Sequence, residues 1–140
     1  MGDDRIEEFL TSRETGVLSL AYDDQPYSIP VSYGYAASDR RINLRLVSVE
    51  DSDKRRFLRT TPPARLVVYA ANRITYRSVI VDGTLELIDP EEMTPADVAQ
   101  YGRTKRPLFE MWNADRTDLD IELFRLEPTS ISGRVIRLEE

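Results

Sequence analysis

The chain has 140 residues, with 19 lysines and arginines against 25 aspartates and glutamates, and neither histidine nor cysteine, which is the size and charge content of one ordinary domain. Without His or Cys it has no disulfide framework, no thiolate or imidazole metal centre, and no serine or cysteine nucleophile activated by histidine. The net charge of -6 argues against nucleic-acid binding through bulk electrostatics.

The N-terminus, MGDDRIEEF, is acidic and lacks the apolar run of a secretory signal, and no stretch reaches membrane-spanning length; a cytoplasmic protein is expected. Residues 3–12, DDRIEEFLTS, predict a short helix capped by Asp3 or Asp4, with Ile6, Phe9 and Leu10 on its apolar face. VLSLAY at 17–22 alternates as a strand, DDQ makes a tight turn, and residues 26–36 return as the second arm of a hairpin. SDRR turns the chain into a third strand, INLRLVSV at 42–49. Ser52 then caps a helix running to Arg59, with Phe57 and Leu58 inward, and Pro62 and Pro63 stop it. ARLVVYA at 64–70 is a central fourth strand, and ITYRSVIVDGTLELI at 74–88 a long fifth in which Gly83 marks a bulge or a close approach. Thr94, Pro95 and Asp97 have the pattern of a helix start, and a further short helix from near Pro107 puts Leu108, Met111 and Trp112 on one face. DIELFRLEP and SISGRVIRL predict the last two strands. Antiparallel meanders with few helices indicate one mainly β domain over residues 1–140, a small barrel with short flanking helices.

Three segments carry candidate site residues. In PYSIPVSYGY, Tyr27, Ile29, Val31, Tyr33 and Tyr35 alternate with Ser28, Pro30, Ser32 and Gly34. One strand face is bulky; the other is small and partly polar, with room for a flat group to approach the backbone. Pro30 gives up a ladder hydrogen bond, which fits an edge or a bulge, with or without a ligand. In SVEDSDKRRF, Ser48 ends a strand and Ser52 and Lys54 stand near a helix start, suited to an anion or to solvent. In TYRSVIVDG, Arg77 shares a face with Val79, Val81 and Gly83, while Ser78 lies on the other. A guanidinium among apolar neighbours needs a partner: an acid such as Glu50 or Asp51, or a phosphate. Taken together the three segments suggest a flat phosphorylated ligand. Tyr33, Tyr35, Tyr76 and Trp112 are aromatic groups for packing or stacking, with Trp112 placed to roof a substrate; Glu110 and Asp115 read as solvated surface.

The pieces GVLSL, QPYSIPVSYGY, DRRINLRLVS, DKRRFLRTTPPARLVVY, YRSVIVDGTLELI and LFRLEPTSISG, in this order and spacing, resemble the pyridoxamine 5'-phosphate oxidase-related, FMN-binding split-barrel family from Ile6 to Ile136. The resemblance implies a split β-barrel and a homodimer with FMN in a cleft between subunits. It implies Pro30, Val31 and Ser32 along the isoalloxazine or ribityl region, Ser48 and Lys54 near the phosphate, and Arg77 and Ser78 completing the cradle. It also implies electron transfer between a reduced nicotinamide or small organic donor and an acceptor. A deazaflavin-dependent reductase and a non-catalytic or empty split barrel are the alternatives. A Gly-rich dinucleotide loop is missing, which favours FMN over FAD, and haem would lack its usual ligands. The chain departs from many relatives in carrying Val47 where they have a histidine before the serine matching Ser48, and Ser52 where a glycine is frequent. A full pyridoxal-phosphate substrate set is missing, so vitamin B6 oxidation is not expected. Lys54 and Lys105 are the only lysines among 25 acidic residues; this resembles proteins of salt-loving archaea, or reflects a bias towards arginine.

Overall fold

The computed structural model describes residues 1–22, 24–49, 62–88, 91, 95 and 119–138. Helix α1 (Asp3–Ser12) is followed by strands β1 (Thr15–Tyr22), β2 (Gln25–Ala36), β3 (Arg41–Val49), β4 (Pro63–Ala71), β5 (Thr75–Leu87) and β6 (Leu119–Arg137). Every pairing is antiparallel, and the sheet closes on itself in the order β1-β2-β3-β6-β5-β4. No helix among the described residues is long and apolar enough to cross a membrane.

Alternation builds the core. Leu18 of β1, Val31 and Tyr33 of β2, Ile42, Leu44 and Leu46 of β3, Leu66 and Val68 of β4, Val79, Val81 and Leu85 of β5, and Phe124 and Leu126 of β6 are all buried within the closed sheet. The β1–β2 turn holds Asp24 at φ 62, the left-handed conformation that Asp tolerates better than most residues. Helix α1 buries Ile6, Phe9 and Leu10, as its spacing predicts, but its N-cap is Gly2 rather than Asp3 or Asp4, and no side chain caps it. Both aspartates instead occupy the first turn, where negative charge is favoured by the helix dipole.

The largest departure from expectation is β6. Two strands are predicted around Pro128 and Thr129, yet residues 119–137 form one strand of 19 residues. The register places Asp82 opposite Ser130 and Gly83 opposite Pro128, so Thr129 is the extra residue of a bulge. Proline is tolerated at such a bulge, and β6 pairs with β3 over residues 119–126 and with β5 on both sides of the bulge, from Phe124 to Arg137. Gly83 meets the expectation of a close approach: a Cβ there would lie 2.0 Å from the Glu127 carbonyl oxygen.

Neighbouring strands part in two places. Helix α1 sits at one of them, beside Tyr35 and Arg40 of the β2–β3 hairpin and residues 127–131 of β6, around a cavity of about 250 Å³. It is tethered there by the Tyr33 hydroxyl, which donates to the Leu10 carbonyl at 2.6 Å, and by Glu7, which accepts from Tyr35 and Arg40. The second parting lies between β2 and β3. Among the described residues, 25–32 of β2 pair only with β1, and the β2–β3 ladder begins at Tyr33↔Leu44.

Candidate functional site

The parting of β2 from β3 explains Pro30. The Tyr33 N–H donates to the Glu14 carbonyl on the β1 side at 2.9 Å. Backbone groups alternate sides along a strand, so residues 28, 30 and 32 turn theirs away from β1, towards the gap. Proline's missing N–H therefore falls where no ladder bond is made, and the strand loses nothing by carrying it.

The small side of β2 faces outward and continues into a strip across the sheet. Pro30 pairs with Val17, Val17 with Val67, and Val67 with Ile80. Their sequence neighbours Leu18, Leu66, Val68, Val79 and Val81 are fully buried, so these four residues lie on the outer surface. Hydroxyl-bearing residues flank the apolar strip. On one side the Ser19 and Ser28 hydroxyls hydrogen-bond at 2.9 Å, with Arg65 and Asp82 next in the row, ion-paired through Nε and Oδ1 at 2.6 Å. On the other side stand Ser32, paired with Thr15, and Ser78, paired with Tyr69. The strip spans four strands, roughly 14 Å at the usual spacing.

Pro30, Ser32 and Ser78 are thus brought onto one face. Ser32 is covered there, 1% exposed, whereas Pro30 is exposed. Val31 is not part of that face: its side chain is 3% exposed in the core, and its backbone groups turn towards β1. Arg77 is separated as well. It has the parity of the core residues Val79 and Val81 and lies at the end of the closed sheet beside Phe9 and Ser12 of α1, on the opposite side of β5 from Ser78. Ser48 stands in β3 opposite Asp120 of β6. Lys54, Trp112 and the helices predicted from Ser52 and from near Pro107 lie outside the described residues, as do Thr94 and Asp97 of the predicted helix start; Pro95 is described and is helical.

Tyr33 and Tyr35 belong to the core and the α1 tether rather than to a stacking surface, and burial pushes the Tyr33 phenol well above its ordinary pKa. Tyr76 stacks on Tyr69 with ring centroids 6.3 Å apart, and both rings are exposed.

Two residues of the face were missed from sequence. Asn43, 3% exposed, sits between Gly34 of β2 and Arg125 of β6. Arg45 follows on the same side of β3, next to the parting, and its Nε is buried with no hydrogen-bond partner among the described residues. The available signal was the alternation of INLRL: Ile42, Leu44 and Leu46 enter the core, which leaves Asn43 and Arg45 on the side shared with Ser32.

A family profile described as pyridoxamine 5'-phosphate oxidase matches residues 2–135. No curated protein matches the chain. Among solved structures, the chain is similar to an FAD-binding protein from Mycobacterium smegmatis, with a TM-score of 0.71, 18% identity, and 99% of this chain and 98% of that one covered. A putative pyridoxamine 5'-phosphate oxidase from Corynebacterium glutamicum gives a TM-score of 0.71 at 17% identity, covering 100% and 93%. An FAD-binding protein from Mesorhizobium loti gives 0.70 at 21% identity, covering 99% and 96%.

Proposed function

The chain belongs to the pyridoxamine 5'-phosphate oxidase family, and from that membership we propose that it is a flavin-binding oxidoreductase that works as a homodimer. The observation that carries the proposal is the outward strip through Pro30, Val17, Val67 and Ile80 beside the parting of β2 and β3. It is apolar and long enough for a fused aromatic ring, with hydroxyls at its borders for a ribityl chain. The buried, partnerless Nε of Arg45 fits the same ligand, because such a donor is expected to meet a ligand, an ion or water.

In this assignment Pro30, Ser32 and Ser78 border the ring and ribityl region, and Ser48 and Lys54 approach the phosphate. Arg45 supplies the cation next to Val47, where relatives carry histidine. Bound flavin supplies two-electron chemistry between a reduced nicotinamide or small organic donor and an acceptor. The protein's own part is to exclude water from the strip, orient the ring and hold its anionic end.

An open sheet face covers only one side of a ring, so the second wall is assigned to a second copy of the chain. Exposed Tyr69, Tyr76 and Ile136 continue the strip outward and support that pairing. FMN is the expected form. Two similar structures are named as FAD-binding, so the missing Gly-rich loop does not by itself favour FMN.

The test is the visible spectrum of purified protein after incubation with FMN, FAD or a deazaflavin, followed by anaerobic addition of NADH or NADPH. Co-purifying flavin that bleaches on nicotinamide addition and recovers with an acceptor supports an enzyme. Bound flavin that no donor reduces supports a binding protein, and retention of none of the three cofactors supports the empty scaffold.

A further inference from the structure

Arg77 faces a groove of about 360 Å³ between α1 and the ends of β5 and β6, away from the outward strip. Among the described residues its walls carry Arg5 from α1, Arg77 from β5 and Arg137 from β6, with Glu8 as the one acid. Arg77 pairs with Val135 and Thr75 with Arg137, so Arg77 and Arg137 are diagonal neighbours on one face of the sheet. Like charges at that spacing repel. Among the described residues, none of the three guanidiniums makes a hydrogen bond or ion pair. Arg40, Arg41 and Arg65, by contrast, each have a carboxylate partner. Met1, Phe9 and Val135 add apolar surface beside the charges.

We propose that this groove is a second binding site, for a small organic phosphate whose dianionic end bridges Arg77 and Arg137 while its apolar body lies against Phe9 and Val135. Guanidiniums suit that role because their planar donor forks match phosphate oxygens. Arg5 closes the site from the helix, so an occupied groove ties α1 to the sheet. Glu8 opposes the anion and tunes affinity downward.

Isothermal titration of the full-length protein with phenyl phosphate and, separately, inorganic phosphate tests the assignment. Saturable binding of phenyl phosphate is expected, tighter than that of inorganic phosphate. Arg77→Gln and Arg137→Gln should each weaken it about tenfold or more, and Glu8→Gln should strengthen it. These residues are at the surface, and matching thermal melts show that the variants fold. Flavin binding by Arg5→Gln and Arg137→Gln is expected to equal wild type, so failure of the flavin assignment and failure of this one are separable. No saturable heat with phenyl phosphate, equal affinity for the two phosphates, or binding indifferent to both arginine substitutions would each overturn the proposal.

Discussion

Arg45 and Tyr33 show how single side chains divide between stability and ligand. The Nε of Arg45 is buried without a partner, a situation that costs about 1–3 kcal/mol. Arg45→Met keeps the packing stem and removes the orphaned donor. Denaturant unfolding of the cofactor-free variant is therefore expected within about 1 kcal/mol of wild type, or more stable. Flavin affinity should fall about tenfold, the loss expected for a charge-assisted contact. Tyr33 has the opposite role. Its hydroxyl satisfies the Leu10 carbonyl near the end of α1, and Tyr33→Phe should cost about 1–2 kcal/mol by leaving that acceptor unpaired. Its phenol is raised by burial first, with Glu14 adding and Arg13 opposing. A raised folded-state value makes the stabilisation complete below the unfolded pKa of about 10. It is then lost as pH rises towards the folded value, because only the unfolded chain releases the proton. Unfolding free energy should decline above that pH in wild type, and the Tyr33→Phe variant should lack this component.

At the scale of elements, the bulge between β5 and β6 is the feature most exposed to test. A Cβ at Gly83 would overlap backbone at Glu127 and Pro128, which cannot yield as a flexible side chain can. Gly83→Ala should destabilise by about 1–3 kcal/mol or more, read as a lowered denaturation midpoint with an unchanged slope. Much of this layer was legible locally. The face of α1, the β1–β2 hairpin and the strand cores follow from periods of 3.6 and 2 within a few residues. What local sequence did not carry was long-range pairing. The continuity of β6 depends on β5, which pairs with it on both sides of the bulge, and on β3, which pairs with residues 119–126, while Pro128 and Thr129 look like a stop. The site was legible to the same depth. The small face of β2 was visible in PYSIPVSYGY, but the strip it joins needs the registers β1↔β4 and β4↔β5. The alternation of β5 already sets Arg77 and Ser78 on opposite faces, and only the family resemblance joins them in one cradle; the register keeps them apart.

For the whole molecule, composition and surface make two linked claims. Excess acid with two lysines favours a fold that tolerates high salt, where screening relieves self-repulsion. Thermal unfolding followed from low to molar KCl should show rising stability; a falling midpoint would leave arginine bias as the explanation. Sedimentation in the same salt should give about twice the mass of the chain, with Tyr69, Tyr76 and Ile136 covered between copies. The central claim is that the outer strip and its symmetry mate hold flavin, and Val67, half-buried at the middle of that strip, tests it most directly. The decisive measurement is a fluorescence titration of FMN, FAD and a deazaflavin against wild type and Val67→Glu, with circular dichroism confirming that the variant folds. Saturable flavin binding by wild type that disappears in a folded, monomeric Val67→Glu protein is the predicted result; equal binding by both proteins, or none by wild type, would contradict it.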